Sequence, residues 1–98
     1  MKPSDAMLKG FEKVGRQCRS TYFEGLMGCK PEAVCAFGAA FLALAGNAER
    51  ICASDQVQKI LMDANEVFKA KTGESISQAN DSGMSIPDIA GILAAEGY

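Results

Sequence analysis

Cysteine is the residue type best suited to chemistry in this chain, because the sequence contains no histidine. Histidine is the most frequent general base and metal ligand near neutral pH, so its absence excludes most Cys-His and Ser-His mechanisms. Structural zinc sites usually pair their cysteines as C-x-x-C. Here the successive cysteines are 11, 6 and 17 positions apart: Cys18, Cys29, Cys35 and Cys52. We therefore expect no catalytic residue, no metal site and no bound cofactor.

Besides a disulfide framework, which the even count of four cysteines permits but which is disfavoured, two interpretations of the thiols remain open. The first is a set of reduced thiols packed as small hydrophobic residues. The first residues do not show the positively charged start and apolar run of a secretory signal, so we expect the protein in the cytoplasm. Thiols are kept reduced there, which suits this interpretation. The second concerns Cys35, because backbone dipoles near a helix start can lower the pKa of a thiol. Core packing is the preferred reading, and a cysteine-dependent enzyme is the less favoured alternative.

The remaining polar motifs do not complete a known site. The carboxylates are scattered along the chain, and no glycine loop of the form G-x-x-x-x-G-K occurs. The segment 80–83, Asn-Asp-Ser-Gly, places oxygen ligands in a turn, but no acid stands at the twelfth position of a calcium loop beginning there. Its composition predicts a turn.

The element that must organise the fold is the stretch from Pro31 to Gly46. Thirteen successive residues, Ala33 to Ala45, carry no charged or strongly polar side chain. A helix that is apolar all round must be buried, so we expect a core helix over 31 to 46. A strand near 29 to 35 is the alternative, and Pro31 favours the helix because it suits a first helical turn.

Three further helices are predicted, near 4 to 17, 54 to 71 and 85 to 96, by apolar residues at three- and four-residue steps. Ser4 and Ser85 are the expected N-caps of the first and last of these. Residues 20 to 30 should form a short hairpin or loop, and 74 to 79 a short helix. The prediction is a mainly α fold, a single compact domain over residues 1–98 with about four helices and a possible short β-hairpin near residues 20–35.

The segment from Gly83 to Leu93, which includes the start of the last of these helices, also resembles the first helix of a DNA-binding helix-turn-helix. Only residues 94 to 98 follow it, which are too few for a recognition helix. We therefore favour a C-terminal helix packed on the core.

Charge is unevenly distributed along the sequence. The formal net charge is −2 and the pI is about 5.0, which gives no general attraction to phosphate backbones. Six of the ten basic residues nevertheless lie within the first thirty. An ordinary solvated surface is the favoured interpretation of this asymmetry, and a local basic patch at Lys9, Lys13, Arg16 and Arg19 is the alternative.

A glycine-flanked loop carries four large apolar side chains: Tyr22, Phe23, Leu26 and Met27. Such a loop is either a lid over the core, which is slightly favoured, or an exposed contact patch. Together these features predict a small protein-interaction or regulatory module that binds a protein or itself, the simplest case being a homodimer. The alternative is a nucleic-acid-binding protein that uses the basic first third. No membrane span is expected, because thirteen apolar residues are too few.

Several short segments resemble a pattern in small phage and bacterial proteins of unknown function. Those proteins show a C-A-L-G-A segment that opens a buried helix, then N-D, then S-x-x-x-I-A-x-x-L. The corresponding residues here are Cys35-Ala36-Phe37-Gly38-Ala39, Asn80-Asp81 and Ser85 with Ile89-Ala90 and Leu93. Phe37 stands where the pattern has leucine. The resemblance implies a compact helical fold and a phage or mobile-element origin, and it supplies no catalytic residue.

Overall fold

The computed structural model describes residues 2–19, 33–45 and 55–98, and the backbone of residues 23–24. The mainly α prediction is confirmed, with one small antiparallel strand pair beside the helices. The elements are α1 (Pro3–Val14), β1 (Phe23–Glu24), β2 (Ala33–Val34), α2 (Ala36–Ala45), α3 (Asp55–Thr72), α4 (Ile76–Asp81) and α5 (Ile86–Ala95).

Helix α1 begins and ends earlier than its apolar pattern predicts. Lys2 is the N-cap and Pro3 takes the first turn, so the expected capping role of Ser4 is wrong. Ser4 is instead buried, and its N–H donates to the carbonyl oxygen of Tyr98 at 2.9 Å. Gly15 ends the helix because it adopts a φ of 84°, where a side chain would be strained.

The predicted start of the core helix at Pro31 is also wrong. Ala33 and Val34 form β2, which pairs with β1 in the register Phe23 to Val34 and Glu24 to Ala33. The alternative of a strand near 29 to 35 is thus the correct one for these two residues. Pairing removes their backbone groups from any helical ladder, so α2 starts only at Ala36.

The expectation that the apolar helix is buried is confirmed. No residue of α2 is exposed, and Phe41 and Leu42 are almost fully covered. Helix α1 crosses α2 at Gly10, where an added Cβ would overlap the carbonyl oxygen of Ala39 and lie 2.8 Å from its Cα. The small residues therefore allow the two backbones to approach closely.

Helices α3 and α5 complete the core as their periodicity predicts. The buried side chains are Leu61, Ala64 and Phe68 on α3, and Ile86, Ile89, Ala90 and Leu93 on α5. Ser85 caps α5 as expected, since its hydroxyl accepts from the N–H of Asp88 at 3.2 Å.

The short helix α4 lies between these two and differs slightly from its prediction. Ser75 and Gln78 form a capping box at its start. Asn80 and Asp81 belong to its last turn, so the turn expected at 80–83 begins two residues later. Gly83 provides that turn with a φ of 112°.

Candidate functional site

The loop expected to carry an apolar contact patch lies almost entirely outside the described residues. Tyr22, Leu26 and Met27 are outside them, and Phe23 is described only as backbone in β1. The pairing of Phe23 with Val34 shows where the segment returns to the body of the protein. Its role as lid or contact patch stays a prediction.

The predicted basic residues are all exposed. Lys9 and Lys13 lie four positions apart on α1, so they are neighbours on its surface. Arg16 and Arg19 lie in the segment that follows α1. The guanidinium of Arg19 reaches the α4–α5 turn, because its Nη2 is 3.5 Å from the point where a Cβ on Gly83 would stand.

The exposed face of α1 is not purely basic. Asp5 and Glu12 are exposed among the lysines, and Leu8 is the one large apolar side chain there with an exposed fraction of 42%. Lys9 lies four positions after Asp5 and three positions before Glu12. Its neighbours on the helix surface are therefore these two carboxylates as well as Lys13.

The most elaborate polar arrangement in the described residues is a buried junction that sequence reasoning missed. It consists of Gln17, Cys18, Cys35 and Asn80, and we refer to these four residues as the junction. Gln17 pairs with Val34 as an isolated parallel bridge on the edge of β2 opposite β1. The junction therefore joins the segment after α1, the start of α2 and the end of α4.

Gln17 connects the junction to the start of α5. Its Nε2 donates to Asn80 Oδ1 at 2.8 Å and to the carbonyl oxygen of Met84 at 2.9 Å. Its Oε1 accepts from the N–H of Ile86 at 2.9 Å. Both ends of this amide are thus occupied, and the side chain fixes the α4–α5 turn against the chain after α1.

Asn80 has an exposed fraction of 1% and uses both ends of its amide in the same way. Its Nδ2 donates to the carbonyl oxygen of Cys18 at 2.8 Å. Its Oδ1 accepts from the N–H of Ala36 at 3.0 Å, which satisfies one of the unpaired amides at the start of α2. A buried amide that is satisfied by the chain itself stabilises the fold.

Cys35 acts as the N-cap of α2. Its carbonyl oxygen accepts from the N–H of Ala39 at 2.8 Å, and its Sγ accepts from the N–H of Gly38 at 3.3 Å. Burial raises the pKa of the Cys35 thiol above its ordinary value of 9.0, and the charge of Asp81 acts in the same direction. The N–H groups of Gly38 and Phe37 lower this pKa by less.

The helix start therefore lowers the pKa of the Cys35 thiol as expected, but burial raises this pKa by more. A thiol that keeps its proton near neutral pH is a weak nucleophile, so this environment favours the structural interpretation of Cys35. Cys18 is likewise buried, whereas Cys29 and Cys52 lie outside the described residues. Within the described ranges, no three histidine, cysteine or acidic residues are grouped as a metal site would require.

The structure also bears on the helix-turn-helix resemblance. Helix α5 is the second helix of its pair, after α4 and a short turn, and four of its side chains are buried in the core. Its exposed face carries Asp88, and Glu96 follows directly. Acidic residues at these positions would repel phosphates, so the packing role of α5 is favoured.

Comparisons of the chain with family models, with curated proteins and with solved structures found no match. Among the helices that the structure describes, none combines the length and apolar character needed to cross a membrane.

Proposed function

We propose that this chain is a protein-interaction module that binds a protein partner through the outer face of α1. The observation that carries the proposal is the composition of that face, where Leu8 is exposed beside charges of both signs. An apolar contact surrounded by complementary charges is the usual composition of a protein–protein interface. The charges would select the partner and its orientation.

The same composition disfavours a nucleic acid as the main ligand. A phosphate backbone is attracted by uninterrupted positive charge. Asp5 and Glu12 are exposed between Leu8 and the lysines, and they would weaken each phosphate contact made by Lys9 or Lys13.

The opposite face of α1 makes the surface rigid. Met7 is fully buried, and Gly10 lies directly against the backbone of Ala39. A helix held in this way loses little conformational freedom when a partner binds, so more of the contact energy appears as affinity.

The proposal extends to the loop that follows Arg19. Tyr22, Phe23, Leu26 and Met27 would enlarge the apolar part of the surface if the loop is a contact patch. Self-association into a homodimer is the simplest form, since one face can then serve both partners. A regulatory role in the cytoplasm and a phage or mobile-element origin belong to this proposal.

The test compares two exposed apolar residues on different helices. Leu8→Gln on α1 removes the proposed contact, and Met62→Gln on α3 is the matched control, since Met62 has an exposed fraction of 61%. Both variants should remain folded, because exposed substitutions change stability by only about 0.5 kcal/mol. Analytical ultracentrifugation at micromolar concentration measures self-association, and pull-down from a lysate detects other proteins.

We expect the protein to bind itself or a partner. Leu8→Gln should weaken this binding about tenfold or more, and Met62→Gln should leave it unchanged. A strict monomer that captures no protein contradicts it, and so does equal binding by both variants. A second pull-down with the Phe23→Asp, Met27→Asp double variant determines whether the loop contributes.

Nucleic-acid binding is the second candidate, favoured only by the exposure of all four predicted cations. Fluorescence anisotropy with a short duplex and a single strand tests it at two salt concentrations. Binding that weakens steeply with salt, with a slope reduced by about one for each lysine removed in Lys9→Gln and Lys13→Gln, would support this candidate instead.

A further inference from the structure

We propose that Cys18 and Cys35 form a reversible disulfide when the protein meets a peroxide, which closes the intervening loop at its base. The inference stands independently of the proposed function. It rests on the register of the two segments that carry the cysteines, and on the single buried cluster that holds both thiols.

The register makes the two cysteines lateral neighbours. Val34 donates its N–H to the carbonyl oxygen of Arg16 at 3.0 Å and accepts from the N–H of Cys18 at 2.9 Å. This pattern defines a parallel bridge between Gln17 and Val34. The next residues of the two segments are Cys18 and Cys35, so these two cysteines lie side by side. Adjacent strands lie about 4.8 Å apart, which falls within the Cα separations of about 4.4 to 6.8 Å found for disulfides.

The burial pattern places both side chains on the same face. Val34 belongs to the main core, whereas Cys18, Ala33 and Cys35 form a separate small cluster. Side chains alternate between the two faces along an extended segment, which explains this division. The thiols therefore face one shared, water-poor space, with exposed fractions of 4% for Cys18 and 5% for Cys35.

Asn80 holds the two segments at this spacing. It donates to the carbonyl oxygen of Cys18 and accepts from the N–H of Ala36, the residue after Cys35. One buried amide thus fixes the backbone beside each thiol.

The chemistry requires a small two-electron oxidant, and hydrogen peroxide satisfies the balance. One thiol loses its proton, and the thiolate attacks a peroxide oxygen; burial makes this step slow near neutral pH because it keeps the thiolate fraction small. The O–O bond breaks, the departing hydroxide takes up the released proton as water, and a sulfenic acid remains on the cysteine. The second thiol attacks the sulfenic sulfur, the S–O bond breaks, and its proton leaves with the departing hydroxide as a second water. The two thiols together lose two electrons, and the peroxide gains them and is reduced to two waters.

The disulfide encloses residues 19–34, which include Arg19 and the predicted contact residues Tyr22 and Phe23. Closing a loop of this length restricts the unfolded chain, so we expect the oxidised protein to melt about 10 °C higher than the reduced one. Added thiol reductant should reverse the shift.

The test uses the intact wild-type protein, treated with hydrogen peroxide, then denatured, alkylated and digested. Trypsin together with a glutamate-specific protease separates all four cysteines, because Glu32 lies between Cys29 and Cys35. The expected product joins peptide 17–19 to peptide 33–49 and disappears after reduction. Sulfoxide at the exposed Met62 reports the oxidant dose in the same digest.

The opposite results are equally distinct. The proposal is overturned if Met62 is fully oxidised while Cys18 and Cys35 still take alkyl labels. It is also overturned if these two become sulfinic acids, or pair with Cys29 or Cys52. A Cys29→Ser, Cys52→Ser variant should keep the cross-link and the melting shift, and loss of both there would contradict the assignment as well.

Discussion

The close crossing of α1 and α2 leads to a prediction that opposes ordinary helix propensity. Alanine is a better helix former than glycine by about 1 kcal/mol, so Gly10→Ala should stabilise an isolated α1. In the folded protein the new Cβ would overlap the carbonyl oxygen of Ala39, and it would lie 2.5 Å from the carbonyl carbon. These are backbone atoms within a buried helix, so no side-chain rotation can relieve the overlap.

The magnitude follows from the displacement required. Ordinary contact for a Cβ begins at 3.4 Å, so the helices would have to separate by about 1.5 Å to clear the carbonyl oxygen of Ala39. Such a shift loosens the packing of Met7 and Phe41, which are nearly fully buried. Overpacking of this kind costs about 1 to 3 kcal/mol or more. Because the obstruction is backbone, we expect a net loss of about 3 kcal/mol, a large share of the stability of a small domain.

Gly91 provides the matched control, because it is also a helical glycine and a Cβ added there meets no atom within 4 Å. Gly91→Ala should therefore stabilise the protein by about 0.5 to 1 kcal/mol. Urea denaturation followed by circular dichroism measures both variants. Equal shifts for the two substitutions, or a Gly10→Ala protein as stable as wild type, would refute the crossing geometry.

Four further predictions concern the core, the junction and the cysteines. Phe41→Ala should cost about 3 to 5 kcal/mol in denaturation, because this side chain is 4% exposed, and a near-neutral result would contradict its core position. Asn80→Asp should cost about 3 kcal/mol at neutral pH, since it introduces a buried carboxyl opposite the carbonyl of Cys18. Burial should raise the pKa of that carboxyl, so the variant should be most stable at low pH and should lose stability as pH rises above about 4. The control is Gln78→Glu, which introduces an exposed carboxyl and should show no such loss. Untreated protein denatured without reductant should take four alkyl labels, and two stable disulfides would oppose this. Because burial raises the pKa of Cys35 above 9.0, native stability should fall as pH rises through that raised value, and Cys35→Ala should reduce the slope.

Periodicity was sufficient for the helices that have one apolar face. In α3, Leu61, Ala64 and Phe68 recur at helical spacing and are buried as this pattern predicts. The signal comes from side chains that must leave water, and it depends little on the rest of the fold.

Periodicity failed where backbone pairing decided the local structure. Ala33 and Val34 continue the apolar run of α2, so the sequence alone extends the helix back to Pro31. Their strand conformation depends on hydrogen bonds to residues far away in the chain, including the carbonyl oxygen of Arg16. Local propensity cannot weigh such partners, because it contains no information about which segment will lie alongside.

The sequence patterns did not predict the junction, for a related reason. Gln17 and Asn80 are 63 positions apart, and each is ordinary in its local context. Asn80 stands in a segment whose composition indicates a turn, yet it lies one turn after Ile76 and directly after Ala79, both fully buried. A polar residue on the buried side of a short amphipathic helix is the signal that could have identified it.

The junction also gives a structural meaning to the segments that resemble the phage and bacterial pattern. The C-A-F-G-A start and the N-D segment meet at one hydrogen bond, from the N–H of Ala36 to Asn80 Oδ1. Position 80 needs a side chain that donates and accepts within hydrogen-bond reach of two backbones, which an amide does and a carboxylate does not. Position 35 needs a small apolar residue that can still accept an N–H at a helix start, which a thiol satisfies. These requirements account for both residue types through folding. A search for a binding partner is therefore better directed at the exposed face of α1 and the loop after Arg19 than at the buried junction.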